Sequence, residues 1–242
     1  MKFFNIHFSY SSLYSAATLF AAILLLLLSV LWAPSPAKAA VMEPSDIVQK
    51  IQVTYEQAKT LSADFKQSTA MQLGSRVKQG SGSMVFLKPG HMRWDYSAPD
   101  QQVLISDGET ISMYFAQSKQ MIVTAAKEFL QSDVTYSFFS GTGDIIKDFD
   151  IQDPDLPNKD PENSYLIKLS PMKAHPHVAY MHAWIAKHTF LINRLQIVDH
   201  FNTVTDLFFS NIHIDFSTYN GQKIDDDLFF FTPPAGTEII EQ

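Results

Sequence analysis

No cysteine occurs among the 242 residues. Disulfides and thiolate metal sites are therefore excluded, even in an oxidising compartment that would permit cross-links. The acylated cysteine that anchors a bacterial lipoprotein just behind its signal peptide is excluded too. Glycine is also scarce, at nine. The sequence holds no Gly-x-Ser-x-Gly elbow of a serine hydrolase and no glycine-rich loop that would cradle a phosphate. Basic charge is short as well, with 18 Lys and Arg against 25 Asp and Glu and a net charge of −7. A nucleic-acid partner would want a basic face, so that class is set aside.

What is present begins with an address. Lys2 is followed, His7 aside, by no acid or base until Lys38, and Leu19 to Trp32 is almost wholly apolar. Pro34 and Pro36 break that run, and Ala37-Lys38-Ala39 has the small-x-small pattern of a signal-peptidase site. Residues 1–39 are thus expected to be a cleaved signal peptide, and the mature protein to be exported. The alternative is an uncleaved anchor, since Leu13 to Ala33 is long enough to span a bilayer. Loss of Lys2 and Lys38 makes the remainder more acidic still, which keeps an exported domain soluble. Residues 40–242, roughly 200 in number, form a usual single-domain size for an all-β fold.

The mature chain opens on a helix. Ser45 is the expected N-cap, Asp46 complements the positive end of the dipole, and Ile47, Ile51, Tyr55 and Ala58 recur on one face. The helix is expected to end near Lys59 or Thr60. From Leu61 the period becomes two: Ala63, Phe65 and Gln67 alternate with Asp64, Lys66 and Ser68. Gly74 marks a turn. Strands follow at Met84–Leu87, His91–Tyr96, Gln102–Ser106, Ile111–Phe115 and Gln120–Thr124, parted by Lys88-Pro89-Gly90, Pro99-Asp100, Asp107-Gly108 and Gln117-Ser118. Residues 125–131 are expected to be helical, and Val134–Ser140 brings Tyr136, Phe138 and Phe139. Residues 153–163 hold three prolines and form a surface loop. Strands resume at Tyr165–Leu169, Val178–Lys187, Leu191–Asp199 and Val204–Asp215, and Leu228–Phe231 is expected to be a last strand stopped by Pro233-Pro234. Long sheets of this kind curl, leaving an open face for helices to cover.

Sites for chemistry are few. His175-Pro176-His177 with His182 and His188 invites a metal reading, but two-residue spacing across a proline fits no strong zinc pattern. On its strand His182 shares a face with Val178, Tyr180 and Trp184. Asp225-Asp226-Asp227 lacks the alternating ligands and glycine of a calcium loop. No catalytic group, metal or cofactor is assigned, and no enzyme activity is expected. What stands out is an apolar surplus, including 19 phenylalanines, which either fills an ordinary core or lines a cavity. Parity puts Met92, Trp94 and Tyr96 on one face, with Met84 and Phe86 on one face of the preceding strand.

The run Gly80-x-Gly82-x-Met84-x-Phe86-Leu87-Lys88-Pro89-Gly90-x-Met92-Arg93-Trp94-x-Tyr96-x-x-Pro99 resembles the outer-membrane lipoprotein carrier family, LolA. Its continuation Val103-Leu104-Ile105-Ser106-Asp107-Gly108, with Tyr114 beyond, is similar too. Leu61-x-Ala63-x-Phe65-x-Gln67 upstream, and Asp199-x-x-Asn202-x-x-Thr205-x-x-x-Phe209-x-Asn211-Ile212 downstream, extend the resemblance. The terminal Phe229-x-Phe231-x-Pro233-Pro234-x-Gly236 completes it. The order of these pieces covers nearly the whole mature chain.

The resemblance implies a mainly β fold with α elements: an incomplete antiparallel β-barrel (a half-barrel) closed by an N-terminal helix and inserted lid helices. It implies a monomeric periplasmic carrier that takes lipid-modified proteins from an inner-membrane ABC exporter and delivers them to an outer-membrane lipoprotein acceptor. A periplasmic lipid- or lipoprotein-sensing module with the same half-barrel is the alternative. The acyl-chain cavity and its lid are expected to involve Phe65, Phe86, Lys88, Met92, Trp94, Phe129, Phe138 and Phe139. Lys88 departs from the family, which usually has there an arginine that bonds the lid helices. Lysine lacks the planar fork of several donors, so weaker closure is expected. Phe201 stands where the family often has glycine, so that turn must differ.

Overall fold

The apolar positions of the first helix choose its buried face. In the computed structural model, which describes residues 42–71, 77–132, 134–139 and 143–242, α1 runs Pro44–Gln57 with Ile47, Val48, Ile51 and Tyr55 buried. The helix starts one residue before the expected cap: Glu43 is the N-cap, without a side-chain bond, and Pro44 occupies the first turn. Proline is preorganised there and has no N–H to leave unpaired, so Ser45 is already helical. The signal peptide and the Gly74 turn lie outside the described residues.

Alternating and β-branched segments then build the sheet. Its first half comprises β1 (Thr60–Ala70), β2 (Val77–Leu87), β3 (His91–Ala98), β4 (Gln102–Asp107), β5 (Thr110–Phe115) and β6 (Gln120–Ala125). Three short helices follow, α2 (Ala126–Ser132), α3 (Val134–Phe139) and α4 (Ile145–Asp148). The second half is β7 (Phe149–Gln152), β8 (Ser164–Pro171), β9 (Tyr180–Ala186), β10 (Ile192–Val198) and β11 (Val204–Ile214). A small hairpin of β12 (Thr218–Tyr219) and β13 (Gln222–Lys223), a 3-10 turn over Asp226–Phe229 and β14 (Glu238–Glu241) end the chain.

The strands form one open, curved twelve-stranded sheet in the order β14-β6-β5-β4-β3-β2-β1-β11-β10-β9-β8-β7. All pairs are antiparallel except β14 on β6, which is parallel. The two halves, each a meander, are hydrogen-bonded to each other where β1 pairs β11, with Phe65 opposite Phe209.

Each face of the sheet has its own apolar cluster. The inner one joins Ala63, Phe65, Met84, Phe86, Met92, Trp94 and Phe209 to α1 and to Phe139 of α3. The outer one is small: Val85 and Ile105 are covered by Leu228 and Phe229. The terminal Leu228–Phe231 run is therefore not a strand, as its sequence suggested. It turns at Asp226–Phe229 and then lies extended across the outer face, and the last strand comes later, at Glu238–Glu241. A continuous apolar run carries no period, and the need to cover Val85 and Ile105 decides its conformation.

Candidate functional site: an aromatic interior

The interior is built from strand parity. In register, Trp94 of β3 sits between Met84 of β2 and Leu104 of β4, and Met92 lies opposite Phe86. Side chains two apart on each strand thus converge on one face. Phe65 meets Trp94 at a centroid separation of 4.7 Å and Tyr96 at 4.8 Å. Phe86 meets Trp94 edge-on at 6.1 Å. These edge and tilted contacts add modestly to the area they bury.

Helices α2 and α3 contribute the rings that fill the remaining space. Phe139 lies 5.7 Å from Phe86, 5.3 Å from Phe209 and 5.6 Å from Tyr55. Phe138 packs on Tyr55 at 4.7 Å, and Tyr136 bridges Trp94 at 5.1 Å to Phe129 at 5.5 Å. Seven of the eight expected ligand residues therefore share one cluster: Phe65, Phe86, Met92, Trp94 and Phe139 are buried, and Phe129 and Phe138 pack against them. Tyr55, Tyr136 and Phe209 belong to the same interior. Their positions were visible in the sequence as a helical stripe, an inserted aromatic and a strand motif, but nothing local joined them.

Lys88 is the eighth residue and stands elsewhere. It follows β2 directly, its backbone N–H donates to the carbonyl of Lys59, and its ammonium donates to the backbone carbonyl of Tyr55. The hydrogen bond of this side chain thus goes to the end of α1. The reason is position: the backbone hydrogen bond to Lys59 sets Lys88 beside the helix C-terminus. Burial lowers the Lys88 pKa, opposed by the nearby carboxylates of Glu56 and Asp215. Tyr55 is anchored at its other end, where its hydroxyl accepts the N–H of Ile192 at 3.0 Å, and burial pushes the phenol pKa upward.

Beside this interior lies a cavity of about 800 Å³ whose lining includes Ala126, Phe138, Ile145 and Phe149 together with the loop Pro171–Pro176. Lys127, Lys147 and Lys173 edge it, with Asp144 and Asp148 among them. Asp144 caps α4 by accepting the amides of Ile146 and Lys147. Ile145 donates its own amide to the side chain of Gln52, tying α4 to α1.

Of the four histidines His175, His177, His182 and His188, only His182 is buried. His182 is 1% exposed and its Nε2 lies 2.7 Å from Asp155 of the proline-rich loop, which also pairs with Lys168 at 2.6 Å. Val178 does not share its face, because Val178 precedes β9 and joins Met181 and Ala183 in the inner cluster. Among the described residues no group of three or more His, Asp or Glu is placed to hold a metal, and no helix is long and apolar enough to cross a membrane.

Fold and interior together define a class: a single curved β-sheet whose concave face, backed by helices, holds an aromatic apolar interior. The family model of the outer membrane lipoprotein carrier protein LolA matches residues 56–232, and the chain belongs to that family. The outer-membrane lipoprotein carrier protein of Nitrosomonas europaea is 29% identical over 225 residues, covering 89% of this chain and 96% of its own. That of Azotobacter vinelandii is 25% identical, covering 90% and 97%. Among solved structures, an uncharacterized conserved protein from Thermus thermophilus superposes with a TM-score of 0.51 at 10% identity, over 82% of this chain and 98% of its own. That likeness concerns the fold alone.

Proposed function

We propose that the protein is a periplasmic carrier that shelters the acyl chains of lipid-modified proteins between an inner-membrane ABC exporter and an outer-membrane acceptor. The observation that carries this reading is the aromatic interior itself. Sheet rings from β1 to β3 and inserted rings from α2 and α3 meet there, and among the described residues no Asp, Glu, Lys or Arg is buried. Transfer of each methylene from water is worth roughly 0.8 kcal/mol, so several long chains need such a shelter. In this reading α2 and α3 form the lid, and their rings occupy the space an acyl chain takes once they swing away. Phe65, Phe86, Met92, Trp94, Phe129, Phe138 and Phe139 then line the bound chains, and Met92, being adaptable, suits ligands of varied shape.

Export, cleavage after Ala39 and a monomeric domain over residues 40–242 belong to the same proposal. The chemistry of this proposal is binding and release. The direct test is mass spectrometry of the protein taken from its native periplasm, with co-purified acylated peptides as the expected result. In spheroplasts the purified protein should release new lipoproteins into solution. Lipoproteins that stay in the inner membrane despite added protein would sink the carrier reading, and binding without release would point to a sensor instead.

A further inference from the structure

Trp94 is 1% exposed in the middle of the aromatic interior, and its indole nitrogen Nε1 has no hydrogen-bond partner among the described residues. No other side chain of the inner cluster leaves a buried polar atom in that state. The groups around it are poor acceptors. Phe65, Tyr136, Phe86 and Phe209 surround the indole at centroid separations of 4.7, 5.1, 6.1 and 6.5 Å. Met84 and Leu104 flank it in register. A ring face or a thioether accepts an N–H only weakly.

A buried donor left unbonded costs free energy and calls for an explanation. Packing alone does not supply one. A phenylalanine would fill an apolar site without carrying a donor into it, and the chain uses that residue 19 times. The indole N–H is therefore a feature of the site beyond the space the ring occupies.

Its place along β3 says what it is for. On the inner face Met92 is fully buried, Trp94 follows, and Tyr96 is half-buried, with its hydroxyl donating to Oε1 of Gln67 at 3.0 Å. Phe65 and Tyr96 also line a cavity of about 820 Å³ whose other walls include Asp64, Ser97 and Gln102. Trp94 thus stands at a boundary, with apolar side chains on one side and a polar, open end on the other. An acylated amphiphile has the same order: hydrocarbon, then the acyl carbonyl, then the polar head.

We propose that the indole N–H of Trp94 donates to the carbonyl oxygen of a bound acyl group, ester or amide. The hydrocarbon then runs past Met92 toward Phe86 and Phe139, and the head leaves past Tyr96 and Gln67. The donor is uncovered when Tyr136 withdraws with α3. This assignment rests on the carrier reading and deepens it: the interior selects acyl groups rather than hydrocarbon in general.

Displacement of a fluorescent fatty acid from the purified mature protein tests it, comparing dimyristoylglycerol with its diether analogue, which lacks only the carbonyls. Wild type should bind the diester about tenfold more tightly, equivalent to ~1.4 kcal/mol. Trp94→Phe, which keeps a ring and removes the donor, should bring that ratio close to one. Should this variant fail to fold, the wild-type protein answers alone. With its indoles labelled with nitrogen-15, the Trp94 N–H signal, assigned by comparison with Trp184→Phe, should move downfield with the diester and stay in place with the diether. Methyl myristate and N-methylmyristamide separate the carbonyls, the larger shift identifying the one Trp94 takes. Equal affinity for diester and diether, a preference that survives in Trp94→Phe, or an indole signal unmoved by the diester would overturn the assignment and leave the carrier reading standing. Binding of neither lipid would overturn both.

Discussion

The ammonium of Lys88 reaches across from the end of β2 to the backbone carbonyl of Tyr55 in the last turn of α1. That turn contains no basic residue of its own, so Lys88 supplies the cation that complements the helix C-terminus.

Replacing Lys88 by Met should therefore cost about 1.5 kcal/mol in urea unfolding, the value of a charge-assisted bond to a backbone carbonyl. The Lys88 pKa lies below its unfolded value, so between the two values the unfolded chain binds more protons. Stability from this group accordingly rises with pH across that window, up to about 10.5, and the gap between wild type and Lys88→Met should widen there. Lys88→Arg should hold α1 more tightly, through added bonds to Glu56 or Asp215, and slow cargo handover. Unchanged handover would reject the link between Lys88 and closure.

Asp155 links the proline-rich loop to the outer face through Lys168 and His182. Its pKa is held below the ordinary carboxylate range, chiefly by Lys168 and then by His182. A carboxyl depressed in this way gives stability that is present above its unfolded value near 3.9 and lost as pH falls through the folded one. Asp155→Ala should cost about 1 kcal/mol at neutral pH, since it strips the partner from a buried histidine. The difference from wild type should shrink as pH falls below about 4. A difference that persists in acid would contradict the linkage.

Gly82 lies at an irregularity in the pairing of β2 with β3. A Cβ there would overlap the carbonyl oxygen of Asp95 and come within 2.9 Å of the Cα of Tyr96. Backbone cannot give way cheaply, so Gly82→Ala should destabilise by about 3 kcal/mol or prevent folding. At Gly80 the same methyl meets the Tyr96 ring at 3.3 Å and the Ala98 carbonyl oxygen at an ordinary 3.7 Å. Gly80→Ala should therefore cost under about 1 kcal/mol, and comparison of the two thermal midpoints checks the contrast.

Phe139 fills the centre of the interior from the inserted side. Its replacement by Ala should lower stability by about 3–5 kcal/mol, as for other buried phenylalanines. The space released should increase uptake of a fluorescent long-chain fatty acid by the folded fraction. A fall in uptake would mean that Phe139 grips the ligand rather than standing in its place.

Strands were the legible part of this sequence, because a side chain's face follows from its parity. That rule put Met92 with Trp94 on one strand and Met84 with Phe86 on the strand before it, and the register of β2 on β3 joins the two pairs. Helix α1 was legible from Ile47, Ile51 and Tyr55, though its ends moved by two to three residues, Glu43 taking the cap position expected for Ser45. Four-residue β7 carries too short a pattern to be seen. The neighbouring of β1 and β11 is a long-range pairing that no local signal encodes. The Tyr55 carbonyl as partner of Lys88 was equally hidden, since any backbone oxygen can accept such a bond and only the fold selects one.

That seam between β1 and β11 also fixes an order of events. Each half of the sheet is a meander of neighbouring strands, from β1 to β6 and from β7 to β11, whose hairpins close over short stretches of chain. The seam joins residues such as Ala70 and Val204, and its closure entropy is recovered only when both halves are in place. Folding should therefore end with the two halves zipping together. Amides of β1 and β11 that face each other should be the last to gain protection in pulsed hydrogen exchange.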